Sequence, residues 1–219
     1  GVVAGLREVR QRRAAAFGIL SFWLVRAEAF GFVGLTFALT ARTIFGGEGS
    51  KTPVYVAGGT GALGAAIGLL AAQRMKDRVA PGRIVIAAMA ATGAGVAVFG
   101  WFESLAGYAA LTFFAGLGFF LTKVAADTIT QQALPDSFRG RGFSLFDIAY
   151  SLSYAVPALI LFVFSLSMDE ESLSLVMVGS GAALLATTLA MAAWAKRLGV
   201  AKRVSDDLTP QQVATGIGE

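Results

Sequence analysis

The stretch SLAGYAALTFFAGLGFFLT, residues 104–122, carries no charged side chain. A helix needs roughly 20 mostly apolar residues to cross the hydrocarbon of a bilayer, and this stretch has that length. Residues 52–73, 84–102, 148–168 and 172–195 are likewise free of charge. A sixth apolar run, 14–40, is interrupted only by Arg26 and Glu28. Short links separate the runs at 46–53, 76–83, around Glu103, at 134–142 and at 169–171. The expectation is an all-α membrane protein, a bundle of six transmembrane helices.

Composition supports that reading. Of 219 residues, 56% are hydrophobic and 15% charged, against about 25% charged in a soluble domain, and the mean hydropathy is +0.68. The 27 glycines and 17 phenylalanines fit membrane helices, which are richer in glycine than soluble ones. Cysteine and histidine are absent, which removes disulfides, thiolate nucleophiles, histidine bases and the usual zinc, haem and iron–sulfur ligands. No cofactor and no metal is expected. The chain opens on Gly1 within a basic stretch that lacks the layout of a signal peptide, and it reads as a segment of a longer chain.

Orientation follows the basic residues. With the N-terminus inside, the inner segments hold fourteen of the 18: Arg7, Arg10, Arg12 and Arg13; Arg74, Lys76, Arg78 and Arg83; Arg139 and Arg141; Lys196, Arg197, Lys202 and Arg203. The outer links hold Arg42 and Lys51, and Arg26 and Lys123 lie in or near spans. Both ends are therefore expected in the cytoplasm. The expected divisions are a basic linker over 1–13, the bundle over 14–196 and a polar tail over 197–219. Val2, Leu6 and Val9 share one face of the linker, as in an interfacial helix. The net charge of +4 is spread over four segments beside spans, so membrane lipid rather than nucleic acid is the expected partner.

One motif misleads. Gly59, Gly61 and Gly64 follow an apolar run in the GxGxxG order of a dinucleotide site, with Asp77 beyond. Asp77, however, stands in the charged run RMKDR rather than after a second strand. Gly58, Gly61, Gly64 and Gly68 recur at helical spacing, as small residues do where membrane helices pack closely. Gly93, Gly95, Gly116 and Gly118 carry the same reading.

Two stretches point to a family. GLLAAQRMKDRVAPGR, residues 68–83, runs a small-residue helix into Asp77, Arg78, Gly82 and Arg83. It resembles the Gly, Asp-Arg, Gly-Arg signature of the major facilitator superfamily, with a longer gap before Gly82. KVAADTITQQALPDSFRGRGFSLFDIAYSLSY, residues 123–154, is similar to the tenth helix, inner loop and eleventh helix of bacterial exporter-type members, in its order of Pro-Asp, Arg-Gly-Arg and Phe-Ser. The resemblance covers nearly the whole chain and implies the C-terminal six-helix half of a twelve-helix transporter, built from two inverted three-helix repeats. It implies secondary active transport across the bacterial cytoplasmic membrane, commonly proton-coupled efflux by antiport of a drug, metabolite or siderophore. The partners it implies are a small-molecule substrate and the missing N-terminal half. Asp77, Arg78, Gly82, Arg83, Arg139 and Arg141 are its gating-loop candidates.

Ionisable groups within a bilayer are expensive and mark cavities or partners. Arg26 and Glu28 lie about 20 Å along the first span from its inner end, and their two-residue spacing, roughly 200° around a helix, prevents pairing on one face. Substrate or proton contact and structural pairing are both open to them. Lys123 and Asp127 are four apart and share a face. On the next helix Asp147, Tyr150, Ser151 and Tyr154 form a polar stripe, so the hairpin can bring Lys123, Asp127 and Asp147 together. Such a cluster would be either a proton site or a structural lock completed by Arg139 or Arg141. Glu28, the deepest carboxylate, leads as coupling residue. The alternative class is a half-size subunit without transport activity that docks on a partner membrane protein. No enzymatic activity is expected, since a membrane enzyme would have to work with carboxylates alone, and they form no metal-binding cluster.

Overall fold

A computed structural model of the protein describes residues 12–37, 51–102, 104–134, 136–165 and 172–201, without the side chains of 136–143, 164–165 and 172–173. The linker before Arg12, the 38–50 link with Arg42, Glu103, the 166–171 link, and the tail with Lys202 and Arg203 lie outside the described residues. Six helices follow one another: α1 Arg13–Phe37, α2 Thr52–Met75, α3 Pro81–Phe99, α4 Leu105–Ala133, α5 Asp136–Ser165 and α6 Ser172–Leu198. All six are long and apolar enough to span a membrane.

The helix ends have local causes. Pro81 opens α3, where its missing N–H has no partner to lose. The Ser104 side chain accepts a hydrogen bond from the Gly107 N–H at 3.1 Å and caps α4. Leu134, extended ahead of a proline, ends that helix. Helix α4 thus runs well past Thr122, because Lys123 and Asp127 neutralise each other within one turn rather than ending the span.

Helix α4 is the hub and packs against α1, α2 and α3, while α6 lies against α3 and α5 against α1. Lipid tails are as apolar as leucine, so these contacts depend on close fit rather than on expulsion of water. Glycine supplies the fit between α2 and α4. A methyl group built on Gly68 would stand 2.5 Å from the carbonyl oxygen of Leu117, and one on Gly116 would stand 3.0 Å from the Ala65 nitrogen. The Thr60 and Thr112 hydroxyls bond across this seam at 2.7 Å. Gly64 belongs to the seam, whereas Gly58 and Gly59 face open space, so the stripe is shorter than its sequence spacing suggested. Gly93 approaches Gly181 of α6, and Gly95 and Gly118 approach Phe114 and Thr92 at the α3–α4 contact. The apparent dinucleotide motif is a helix surface.

Helix α1 departs from ideal geometry at its centre. Residues Ala27–Phe32 form a π-helical segment, in which the Val33 N–H bonds to the Glu28 carbonyl. The wide turn packs on α5 beside Pro157, which interrupts that helix's bonding and frees a carbonyl. A side chain at Gly31 would collide with the Pro157 ring and would stand 2.8 Å from the Ser153 carbonyl oxygen. Glycine there lets a widened turn meet a proline-loosened helix.

Candidate transport site

The two charged residues of α1 meet different neighbours. Arg26, in the last α-helical turn before it, is 2% exposed. Its guanidinium carbon lies 3.3 Å from the ring centre of Tyr150, 4.9 Å from Phe30, 5.0 Å from Tyr154 and 5.5 Å from Phe119. Ring faces carry the negative lobe of an aromatic quadrupole, so four of them form a cage for a cation. Arg26 Nε also donates to the Tyr150 carbonyl oxygen at 3.4 Å. The rings hold one another: Phe30 and Phe119 meet edge to face at 4.8 Å, and Phe30 meets Tyr154 at 6.3 Å.

Glu28 turns the other way and is 4% exposed. The Ser180 hydroxyl of α6 donates to its Oε1 at 2.8 Å. The two-residue spacing thus sends one charge toward α4 and α5 and the other toward α6. Both reach neighbouring helices.

The cluster around Lys123 is smaller than expected. Lys123 Nζ and Asp127 Oδ2 pair at 2.8 Å, with side chains 42% and 26% exposed. Asp147 does not join them: it is exposed, and no ion pair among the described residues includes it. Its face of α5, with Tyr150, Ser151 and Tyr154, points out of the bundle, and the two tyrosines reach back to Arg26. Asp127 Oδ1 and the hydroxyls of Thr122 and Thr130 are buried on α4 with no hydrogen-bond partner among the described residues.

Of the gating-loop candidates, Asp77 and Arg78 are exposed in the turn between α2 and α3, and Arg83 is exposed at the start of α3. Gly82 is buried, and its N–H donates to the Val200 carbonyl at 3.1 Å. A methyl group there would stand 2.5 Å from that oxygen, so Gly82 seats the chain leaving α6 against the α2–α3 turn. The side chains of Arg139 and Arg141 lie outside the described residues.

Sequence reasoning missed Ser180, Phe30 and Phe119. Phe30 stands one turn beyond Arg26 and was open to the same-face argument. Ser180 and Phe119 lie on other helices, and nothing local marks them.

Beside the cage lies an apolar cavity of about 340 Å³ between α1, α2 and α4. Phe30 and Phe119 belong to both cage and cavity wall, and Phe37 and Phe120 add further rings.

A family model described as Major Facilitator Superfamily matches residues 1–158. No curated protein and no solved structure matches the chain.

Proposed function

The chain belongs to the Major Facilitator Superfamily, a family of membrane transporters, and from that premise we propose that it is the C-terminal half of a proton-coupled exporter of small molecules in the bacterial cytoplasmic membrane. Glu28 carries the coupling proton in this reading. The observation behind it is a carboxylate buried at mid-span, held by one serine hydroxyl of a different helix and with no cation paired to it among the described residues. An intramembrane carboxylate without a fixed counter-ion has room to exchange a proton, and a π turn is a frequent mark of functional positions. The apolar outer faces of α2 and α5, with Leu63, Ile67 and Leu70 on one and Leu152, Leu159 and Val163 on the other, suit packing against a facing six-helix bundle. Rocking of that bundle against this one would expose the site alternately to each side.

Two experiments test the proposal. Glu28→Gln keeps size and hydrogen bonding and removes titration. In vesicles of the intact transporter it should abolish proton-driven export while leaving downhill substrate exchange. Export at the parent rate with an unchanged pH profile would remove Glu28 from coupling. The chain has no cysteine of its own, so single cysteines report topology without background. Lys51→Cys should react with an impermeant reagent from outside the cell and Lys76→Cys should not; equal labelling contradicts an inward-facing N-terminus.

A further inference from the structure

A guanidinium withdrawn from water needs acceptors for its N–H groups, and Arg26 is poorly supplied with them. Its Nε reaches one backbone carbonyl at 3.4 Å, and no hydrogen bond among the described residues uses its Nη groups. The carboxylates in reach by sequence are engaged elsewhere, Glu28 by Ser180 and Asp127 by Lys123. Ring faces attract the charge but accept hydrogen bonds weakly. Two of the four rings, Tyr150 and Tyr154, are 47% and 40% exposed, so on that side only surface side chains cover the guanidinium. The other two, Phe30 and Phe119, are shared with the apolar cavity between α1, α2 and α4. Its one side-chain hydroxyl, Thr112, is already bonded to Thr60.

We infer that cage and cavity together form the binding site for an organic anion with a flat apolar body: the carboxylate or sulfonate lies against Arg26 and the body fills the aromatic-walled cavity. This rests on the transport reading and assigns it a substrate class. A cationic substrate is disfavoured because Arg26 already occupies the ring faces that would attract it, and two like charges repel strongly where water is excluded. A neutral substrate could offer an acceptor but no countercharge, so it would forgo the charge-assisted bond. A cavity of this size falls within the range of small-molecule sites, which begin at roughly 300 Å³.

The test uses three probes with one body, 2-naphthoate, 2-naphthamide and 2-naphthylmethylammonium, titrated by calorimetry into the purified protein in nanodiscs. Naphthoate should bind at least about tenfold more tightly than the amide, the difference a charge-assisted hydrogen bond supplies, and the ammonium should bind most weakly. Arg26→Gln should bring naphthoate to the affinity of the amide. Ala62→Trp, which fills the cavity from an exposed position on its wall, should weaken both compounds and preserve their ratio. Equal binding of naphthoate and amide by the parent protein overturns the inference, as does an anion preference that survives Arg26→Gln or an affinity for naphthoate that ignores Ala62→Trp. Flux of the same compounds in vesicles of the intact transporter separates this from the transport reading. Anion-selective binding without flux sustains the site and removes the transporter, whereas flux of all three at equal rates sustains the transporter and removes the site.

Discussion

At Lys123 and Asp127 on α4, opposite charges one turn apart pair at 2.8 Å and keep part of their side chains exposed; Arg26 and Glu28 on α1 are buried and make no ion pair with each other among the described residues. Composition does not separate these sites, since each is one cation and one carboxylate on an apolar helix. Spacing does. Four residues apart, the α4 charges neutralise each other without help from the fold. Two residues apart, those of α1 must each find a partner on another helix, and the partners they find are ring faces and a hydroxyl rather than countercharges. A self-paired site is settled before the bundle assembles. A site completed only by neighbouring helices changes when those helices move, which a transport cycle requires.

The comparison breaks most readily at its largest expected difference. Proton-driven export should fall to background in Glu28→Gln and persist at no less than half the parent rate in Asp127→Asn, measured in the same vesicles. Export that fails equally in both would put the α4 pair on the proton route. Next in size is the cage: Tyr150→Leu removes the closest ring face and should lower stability by about 2 kcal/mol, the scale of a desolvated cation–π contact, while Tyr150→Phe keeps the face and should be nearly neutral. Matching losses in thermal unfolding would show that the hydroxyl, not the ring, matters. Ser180→Ala removes the donor to Glu28 and should lower stability by about 1.5 kcal/mol, an effect that disappears when Glu28 is already alanine. Smallest is Lys123→Gln, for which partial exposure limits the loss to about 0.5 kcal/mol. A drop in melting temperature larger than that of Tyr150→Leu would reverse the order of the two sites.

Much of the architecture was legible along the chain. The six spans follow from charge-free length, and Gly61, Gly64 and Gly68 were readable as a packing seam because helical spacing is a local property. The end of α4 was legible as well: the link was read from residue 134, and the backbone stays helical to Ala133 through a charged pair that neutralises itself. Spacing also showed that Arg26 and Glu28 could not meet on one face. Which groups received them was not legible: Ser180 is one hydroxyl among several on α6, and Phe119 one of several phenylalanines on α4. Such partners are fixed by the relative placement of helices. Asp147 failed for the same reason in reverse, because depth along a helix places a residue at a level of the bundle without saying which way it faces.

The π segment of α1 fixes a phase. A π turn takes in about one residue more than an α turn, and each residue of an α-helix advances it by about 100°. Everything on α1 beyond Phe32 is therefore rotated by roughly that angle from where an unbroken helix would carry it. Val33 reaches the core, packed with Val96 and Met177, in that rotated setting. Were the extra residue drawn back into α geometry, the end of α1 bearing Phe37 would turn like a key relative to the end bearing Phe17 and Val25, carrying Phe37 away from the cavity.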